Sequence, residues 1–221
     1  MESPDPKKRH LSPYKHKPIV YGIKIQYATD TPFSPPLDNN GILRVQSIVG
    51  NLLYYAQAVD NKLLVVLNKL GQKQASATKD TNAALLQLLD YVATYPIYSI
   101  LYQASGMLLA GHSDAAYLNV SKSCSRAGVH IIISEETPVP TRNVPVLTVV
   151  QIIKFVMSSS AEAEISGLFI CAKAMVRLCK TLIKMGWTHT KSTIQCDNST
   201  AVGVDNDTII QRKTKTMNMQ Y

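Results

Sequence analysis

Acidic residues at the ends of predicted strands are the first candidates for chemistry in this sequence. Asp114 ends an apolar run that starts at Met107, and Asp197 directly follows a predicted strand over Ser192–Cys196. Carboxylates at strand ends of one sheet can converge on a single point, and hard divalent cations prefer such all-oxygen ligand sets. The alternative for Asp197 is a helix N-cap, in which its side chain accepts a backbone N–H.

A predicted helix over Ser160–Met185 supplies the third candidate acid, Glu164. At about 100° per residue, Glu164 falls on the flank of the apolar stripe and points towards the sheet edge, where a metal or a basic group would offset the cost of burial. Glu162 fits a capping box with Ser159 and falls on the opposite arc, together with Lys173, Arg177, Lys180 and Lys184. The predicted buried stripe is Ile165, Leu168, Ala172, Met175, Val176, Cys179, Leu182 and Ile183.

The remaining reactive residues favour structural roles. No C-x-x-C pair occurs, so a zinc or redox motif is not expected, and the cysteines are interpreted as reduced. No G-x-S-x-G, Walker-type loop or H-E-x-x-H is present, which removes support for serine hydrolases, P-loop enzymes and zincins. The residues concerned are Cys124, Cys171, Cys179 and Cys196, with His10 and His16 in a basic arm, His112 and His130 in strands, and His189 in a loop.

Composition bounds the possible classes of protein. The 221 residues include 23 Lys and Arg against 15 Asp and Glu, a formal net charge of +8, and 46% of them are apolar. This is a globular composition, long enough for one large domain or two small ones. With neither a signal peptide nor an apolar run of about 20 residues, we expect a soluble, intracellular protein with no membrane partner. The positive charge indicates a polyanionic partner or simply a solvated surface.

Three segments follow from the pattern along the chain. Residues 1–40 hold seven of the eleven prolines and the cationic cluster Lys7–Lys24, and predict an extended arm, with a possible strand near Ile19–Ile25, or an unstructured remnant of a longer chain. Residues 41–96 predict helices over Leu43–Leu70, with Gly71 as a C-cap, and from about Thr78 to Thr94.

Residues 97–221 switch to strands, and then alternate between helix and strand. This order predicts an α+β fold, a mixed sheet with packed helices, rather than a doubly wound one. The predicted strands are Ile97–Tyr102, Met107–Ala115, Ala127–Ser134, Val146–Val156 and Ser192–Cys196, with a loop over Glu135–Pro145 and a short helix over Ser199–Val204.

Three short motifs occur in sequence, on a predicted strand, a predicted helix and the end of a further predicted strand: His112-Ser113-Asp114-Ala115, Ser158-Ser159-Ser160-Ala161-Glu162-Ala163-Glu164 and Cys196-Asp197-Asn198-Ser199-Thr200-Ala201. Together they resemble the ribonuclease H domain of copia-type retrotransposon polyproteins. The helical segment Arg44–Ala56 resembles the part that follows the polymerase palm in the same polyproteins. The resemblance covers roughly residues 40–221, and residues 41–96 would correspond to a reverse-transcriptase thumb or connection.

The resemblance implies a ribonuclease H fold with a mixed five-stranded sheet, and hydrolysis of the RNA strand of an RNA–DNA hybrid. Asp114, Glu164 and Asp197 match three metal-binding, catalytic acids of the family, which work with two Mg²⁺ ions, or with Mn²⁺. A sequence-independent enzyme would hold the hybrid by its backbone through cationic side chains. Other implied partners are the remaining parts of the polyprotein.

Several departures from the family pattern leave alternatives open. No polymerase motif with paired aspartates is present, so polymerase activity is not expected from this chain alone. The fourth metal-binding acid of the family would lie beyond Tyr221, so we expect a domain truncated at its C-terminus, and Thr216 and Asn218 stand where the family carries His and Asp. The alternatives to an active nuclease are a catalytically decayed, nucleic-acid-binding remnant and a fragment that folds only within a longer polyprotein.

Overall fold

A computed structural model describes residues 8–15, 33–120, 123–135, 143–189, 191–206 and 208. The described residues form two compact units. The first contains residues 8–15 and 33–100, and the second contains the described residues from Leu101 onward. Some predicted features lie wholly or largely outside the described residues: the cluster Lys7–Lys24, a strand near Ile19–Ile25, the loop Glu135–Pro145, and Thr216 and Asn218.

The first unit is helical, as the three- and four-residue spacing of its apolar residues predicts. It contains helices α1 (Asn39–Ala58), α2 (Leu64–Lys73) and α3 (Lys79–Thr94), with short 3₁₀ turns at Asn61–Leu63 and Gln74–Ser76. Leucines and valines from all three helices fill its core, among them Val45, Val49, Leu67, Leu70, Leu85 and Leu88.

Side-chain caps fix where these helices begin. The Asp38 side chain accepts the N–H of Gly41 at the start of α1, and Thr78 forms a reciprocal capping box with Thr81 at the start of α3. Gly71 was predicted to end the second helix, and this is wrong, because α2 continues to Lys73. A glycine within a helix costs only about 1 kcal/mol relative to alanine, which the tertiary packing of α2 outweighs.

The second unit is built on a four-stranded mixed sheet among the described residues. Strands β1 (Leu108–Val120), β2 (Cys124–Ser134) and β3 (Pro145–Ile153) form an antiparallel meander. The short strand β4 (Thr193–Gln195) pairs in parallel with β1, so the order across the sheet is β3-β2-β1-β4.

One long helix covers a face of this sheet. Helix α4 (Ser160–Lys184) packs on β1 and β2, and the short helix α5 (Ser199–Asp205) packs on α4. The main buried cluster combines residues of β1 and β2 with residues of α4: Leu109, Val129, Ile131, Cys171, Met175 and Leu182.

The α+β class is therefore confirmed, and the mixed sheet with packed helices is compatible with a ribonuclease H-like fold. The predicted strand Ile97–Tyr102 is wrong, because this segment forms no strand and leaves Ile97 88% and Leu101 78% exposed. Within the described ranges, no helix has both the length and the apolar character that crossing a bilayer requires.

Candidate metal centre

Two glycines allow α4 to approach β1 closely. A Cβ atom on Gly111 would lie 2.5 Å from the Cys171 Sγ and 2.8 Å from the Met175 Sδ, and a Cβ on Gly167 would lie 2.7 Å from the Ser113 Oγ. Such distances are shorter than van der Waals contact, so no larger residue fits at either place without movement. The close crossing brings the first turns of the helix, and with them Glu164, against the strand.

Glu164 lies at the junction of α4, β1 and the end of β4. Its side chain is only 6% exposed, and its carboxylate accepts a hydrogen bond from the backbone N–H of Ala115. The Cys196 Sγ donates to the Glu164 Oε2 over 3.7 Å. Strand β4 thus delivers a thiol to the buried acid, and the next residue is the exposed Asp197.

The donor atoms of Glu164, Cys196 and Asp197 all lie within 4.8 Å of one another. Asp114 is exposed on β1, and its negative charge acts on Glu164. Among the described residues, the donor set within 4.8 Å consists of Glu164, Cys196 and Asp197 and does not include Asp114. The structure therefore joins two of the three predicted acids in one cluster and leaves the third within electrostatic range.

The environment holds the pKa of the Glu164 carboxyl above its usual range. Burial is the main cause, and the negative charges of Asp114 and Asp197 add to it. The hydrogen bonds from the Ala115 N–H and from the Cys196 thiol oppose this rise only in part. The folded chain therefore disfavours the ionised form of Glu164, as expected for a buried carboxyl that also lies near two other carboxylates.

Cys196 is a neutral thiol in this setting. Burial raises its pKa, and the nearby carboxylates of Glu164 and Asp197 raise it further, against a lowering by the backbone N–H of Asn198. A neutral thiol donates a hydrogen bond to a carboxylate, whereas a thiolate would add one more negative charge. The sequence pattern did not assign Cys196 to the site, and its position directly before Asp197 was the available signal.

Glu162 does not lie where the helical phase predicted it. The prediction placed it on the outward arc, but its side chain is only 1% exposed. The Glu162 Oε2 accepts the N–H of Ser158 at 2.8 Å, while the Ser159 Oγ accepts the N–H of Glu162 at 3.2 Å. The Ser159 side chain therefore caps the helix as predicted. The Glu162 carboxylate accepts its hydrogen bond from the backbone of Ser158 rather than from that of the cap residue Ser159.

The buried stripe of α4 is rotated relative to the prediction. Its centre runs through small and medium side chains at Ala163, Gly167, Cys171 and Met175, which touch β1 and β2. Val176 and Ile183, which were predicted to be buried, are 54% and 52% exposed. This rotation is what buries Glu162 together with Glu164.

Asn198, and not Asp197, caps α5. The Asn198 Oδ1 accepts the backbone N–H groups of Thr200 and Ala201, both at 3.0 Å. The interpretation of Asp197 as an ordinary N-cap is therefore wrong. Because the neighbouring asparagine serves as the cap, the carboxylate of Asp197 is available to the cluster with Glu164.

The donor chemistry of this cluster fits a hard divalent cation. Glu164 and Asp197 offer carboxylate oxygens, the ligands that Mg²⁺ and Mn²⁺ prefer. Burial first, and the charges of Asp114 and Asp197 after it, raise the pKa of Glu164, and a bound cation would compensate both effects. The Cys196 thiol, as a neutral donor, orients Glu164 rather than adding a soft ligand.

No protein-family model matches this sequence, and no curated protein and no solved structure matches it.

Proposed function

We propose that this chain is the ribonuclease H module of a copia-type retrotransposon polyprotein, which cleaves the RNA strand of an RNA–DNA hybrid. The observation that carries the proposal is the meeting of Glu164 and Asp197, with donor atoms within 4.8 Å, at the place where β1, β4 and α4 converge. Asp114 adds its charge from β1. The chain order of the three acids and the mixed sheet support the same reading, and an intracellular location, cytoplasmic or nuclear, goes with it.

Each acid has a distinct task in this proposal. Glu164 is the buried, oriented ligand, held by the Ala115 N–H and the Cys196 thiol. Asp197 is exposed and faces the cluster from the end of β4, while Asp114 contributes from β1. Bound Mg²⁺ would supply an activated water and stabilise the departing oxygen of the phosphodiester.

The surface of α4 supports a polyanionic partner. Lys173, Arg177, Lys180 and Lys184 are all exposed, and from Ile165 to Trp187 the chain contains no acidic residue. Cations held on a rigid helix suit the phosphate backbone, which is recognised without regard to sequence. With the overall charge of +8, this surface favours a hybrid bound through its backbone.

A hybrid-cleavage assay with Mg²⁺ tests the proposal. The variants Asp114→Asn, Glu164→Gln and Asp197→Asn should each lose at least about a hundredfold in rate, because each removes several kcal/mol of charge stabilisation. Asp205→Asn is the matched control, since this acid is also exposed, ends α5 and does not belong to the donor set of Glu164, Cys196 and Asp197. Cleavage by Asp114→Asn at the rate of the unmodified chain would remove Asp114 from the site.

One observation favours a second candidate, a catalytically decayed remnant that still binds nucleic acid. Asp114 lies outside the close donor set of the described residues, although the proposed chemistry uses it. A remnant would bind the hybrid with a steep salt dependence and show no Mg²⁺-dependent cleavage. Binding and cleavage measured on the same hybrid separate the two candidates, and cleavage by the unmodified chain excludes the remnant.

A further inference from the structure

Two histidines face each other across the middle of the sheet. His112 on β1 pairs directly with His130 on β2, and His130 pairs in turn with Thr148 on β3. Side chains directly opposite on antiparallel strands have Cβ atoms about 5 Å apart. The two histidines are therefore neighbours across the strand pair, and the charge of His112 acts on His130.

These rings lie on the face of the sheet that α4 does not cover. Gly111 and Ser113, the neighbours of His112 in β1, both lie against α4. Because successive side chains of a strand point to opposite faces, His112 and its partner His130 project from the other face. His130 is exposed and His112 half-buried. The histidine pair thus lies across the sheet from the helix that carries Glu164.

The hydrogen bonding of His130 leaves one ring nitrogen for a ligand. Its Nδ1 is 3.0 Å from the Thr148 Oγ1, which fixes the orientation of the ring and leaves the Nε2. Metal-bound histidines characteristically use their second nitrogen in such a bond, and removing the partner weakens metal binding about 10- to 100-fold. Although the His130 side chain reaches solvent, partial desolvation of its ring, together with the neighbouring His112, lowers its pKa, which favours the neutral imidazole that metals require.

We propose that His112 and His130 form a two-imidazole site for a divalent transition metal ion of the Ni²⁺, Cu²⁺ and Zn²⁺ group. Imidazole nitrogen suits these ions, whereas Mg²⁺ prefers oxygen. The site differs from the carboxylate centre in donor type, and it lies on the face of the sheet opposite to α4, the helix that carries Glu164. The proposal does not depend on the hydrolase activity, and an ion bound here would link β1 to β2.

A Ni²⁺ titration of the full chain, prepared without a polyhistidine tag, tests the site. The buffer contains excess Mg²⁺ to occupy the oxygen donors of the other centre. Calorimetry should show binding that weakens at least about tenfold in His112→Asn and in His130→Asn, and by about tenfold in Thr148→Val, which removes the orienting hydroxyl. His10→Asn is the matched control, with an affinity equal to that of the unmodified chain.

A direct readout keeps the test independent of the folding of the variants. In the unmodified chain, paramagnetic Ni²⁺ should broaden the ring Hε1 resonances of His112 and His130 before those of the other histidines. Unchanged affinity in the His112→Asn/His130→Asn double variant would overturn the proposal, as would broadening that begins at another histidine. Neither result bears on hybrid cleavage, so the two proposals fail separately.

Discussion

Replacing Glu164 with glutamine should make the protein more stable while it removes the proposed activity. The glutamine keeps the size of the side chain and an oxygen that can accept the Ala115 N–H, but it removes a buried negative charge. In the absence of divalent cations that charge is opposed by Asp197 and Asp114. Functional sites commonly contain groups that lower the stability of the folded protein, and mutating such a group raises stability at the expense of function.

Burial is the main cost of ionising Glu164, and the repulsion between the carboxylates sets a lower bound on the stabilisation that Glu164→Gln brings. At 4.8 Å, the largest separation among the donor atoms of the cluster, two unit charges repel by about 0.9 kcal/mol at the dielectric constant of water and by about 3.5 kcal/mol at an effective value of about 20. Asp197 is exposed, which places the interaction near the lower of these two values. We therefore expect Glu164→Gln to raise the free energy of unfolding by at least about 1 kcal/mol at neutral pH.

The pH dependence gives this prediction its signature. The pKa of Glu164 is higher in the folded chain than in the unfolded chain. The folded chain therefore binds the proton more tightly, and stability falls as the pH rises from the unfolded pKa, about 4.3, towards the folded one. The variant lacks this loss, so its advantage should be absent at acidic pH and grow towards neutrality.

Urea unfolding in EDTA across this pH range, followed by circular dichroism, measures both quantities. A variant that is less stable than the unmodified chain at neutral pH would refute the reasoning. An advantage that does not change with pH would refute it too, because the gain would then come from packing and not from charge.

Three further predictions concern the elements that hold the site. Glu162→Gln should lower stability by about 1–2 kcal/mol in urea unfolding, since it weakens a charge-assisted bond to the Ser158 N–H. Gly111→Val should cost at least about 1–3 kcal/mol in the same measurement, because its side chain meets Cys171 and Met175. Cys171, fully buried and with a pKa raised to about 11, should react with iodoacetamide only at the rate of global unfolding, as mass spectrometry of labelled peptides would show.

The elements of the fold could largely be predicted because their signals are local. Ser159 stands directly before a long apolar-periodic run, and α4 begins where this cap predicts. The strand Ile97–Tyr102 failed for the opposite reason. Its apolar residues fit a strand, but a strand forms only with a partner, and the partner is a tertiary property.

The error in the phase of α4 has a definite physical cause. A helical wheel weights large apolar side chains, so the predicted buried stripe was centred too close to Val176 and Ile183. The contact with the sheet is instead centred on Gly167 and Cys171, where small side chains permit close approach. Glu162 was consequently assigned to solvent although it is buried.

The sequence predicted only some of the residues that form the site. The meeting of Glu164 with Asp197 was expected from their places at a helix flank and a strand end. Which of two adjacent polar residues caps α5 depends on backbone geometry, and Asn198 takes that role. Only the three-dimensional structure assigns Cys196 to the site, because strand alternation does not predict a hydrogen bond from its thiol to a residue on a helix.

The shortness of β4 has a consequence for how firmly the site is held together. The meander of β1, β2 and β3 joins segments close in sequence, and α4 follows it directly, so Asp114 and Glu164 lie on elements that are neighbours along the chain. Asp197 depends on a three-residue strand at the sheet margin, where Ala110 pairs with the distant Thr193. Opening of this margin would separate Asp197 from Glu164 without unfolding the core. The affinity for a cation and the fraction of molecules in which β4 is paired with β1 are then linked, and cation binding would stabilise the pairing of β4 with β1.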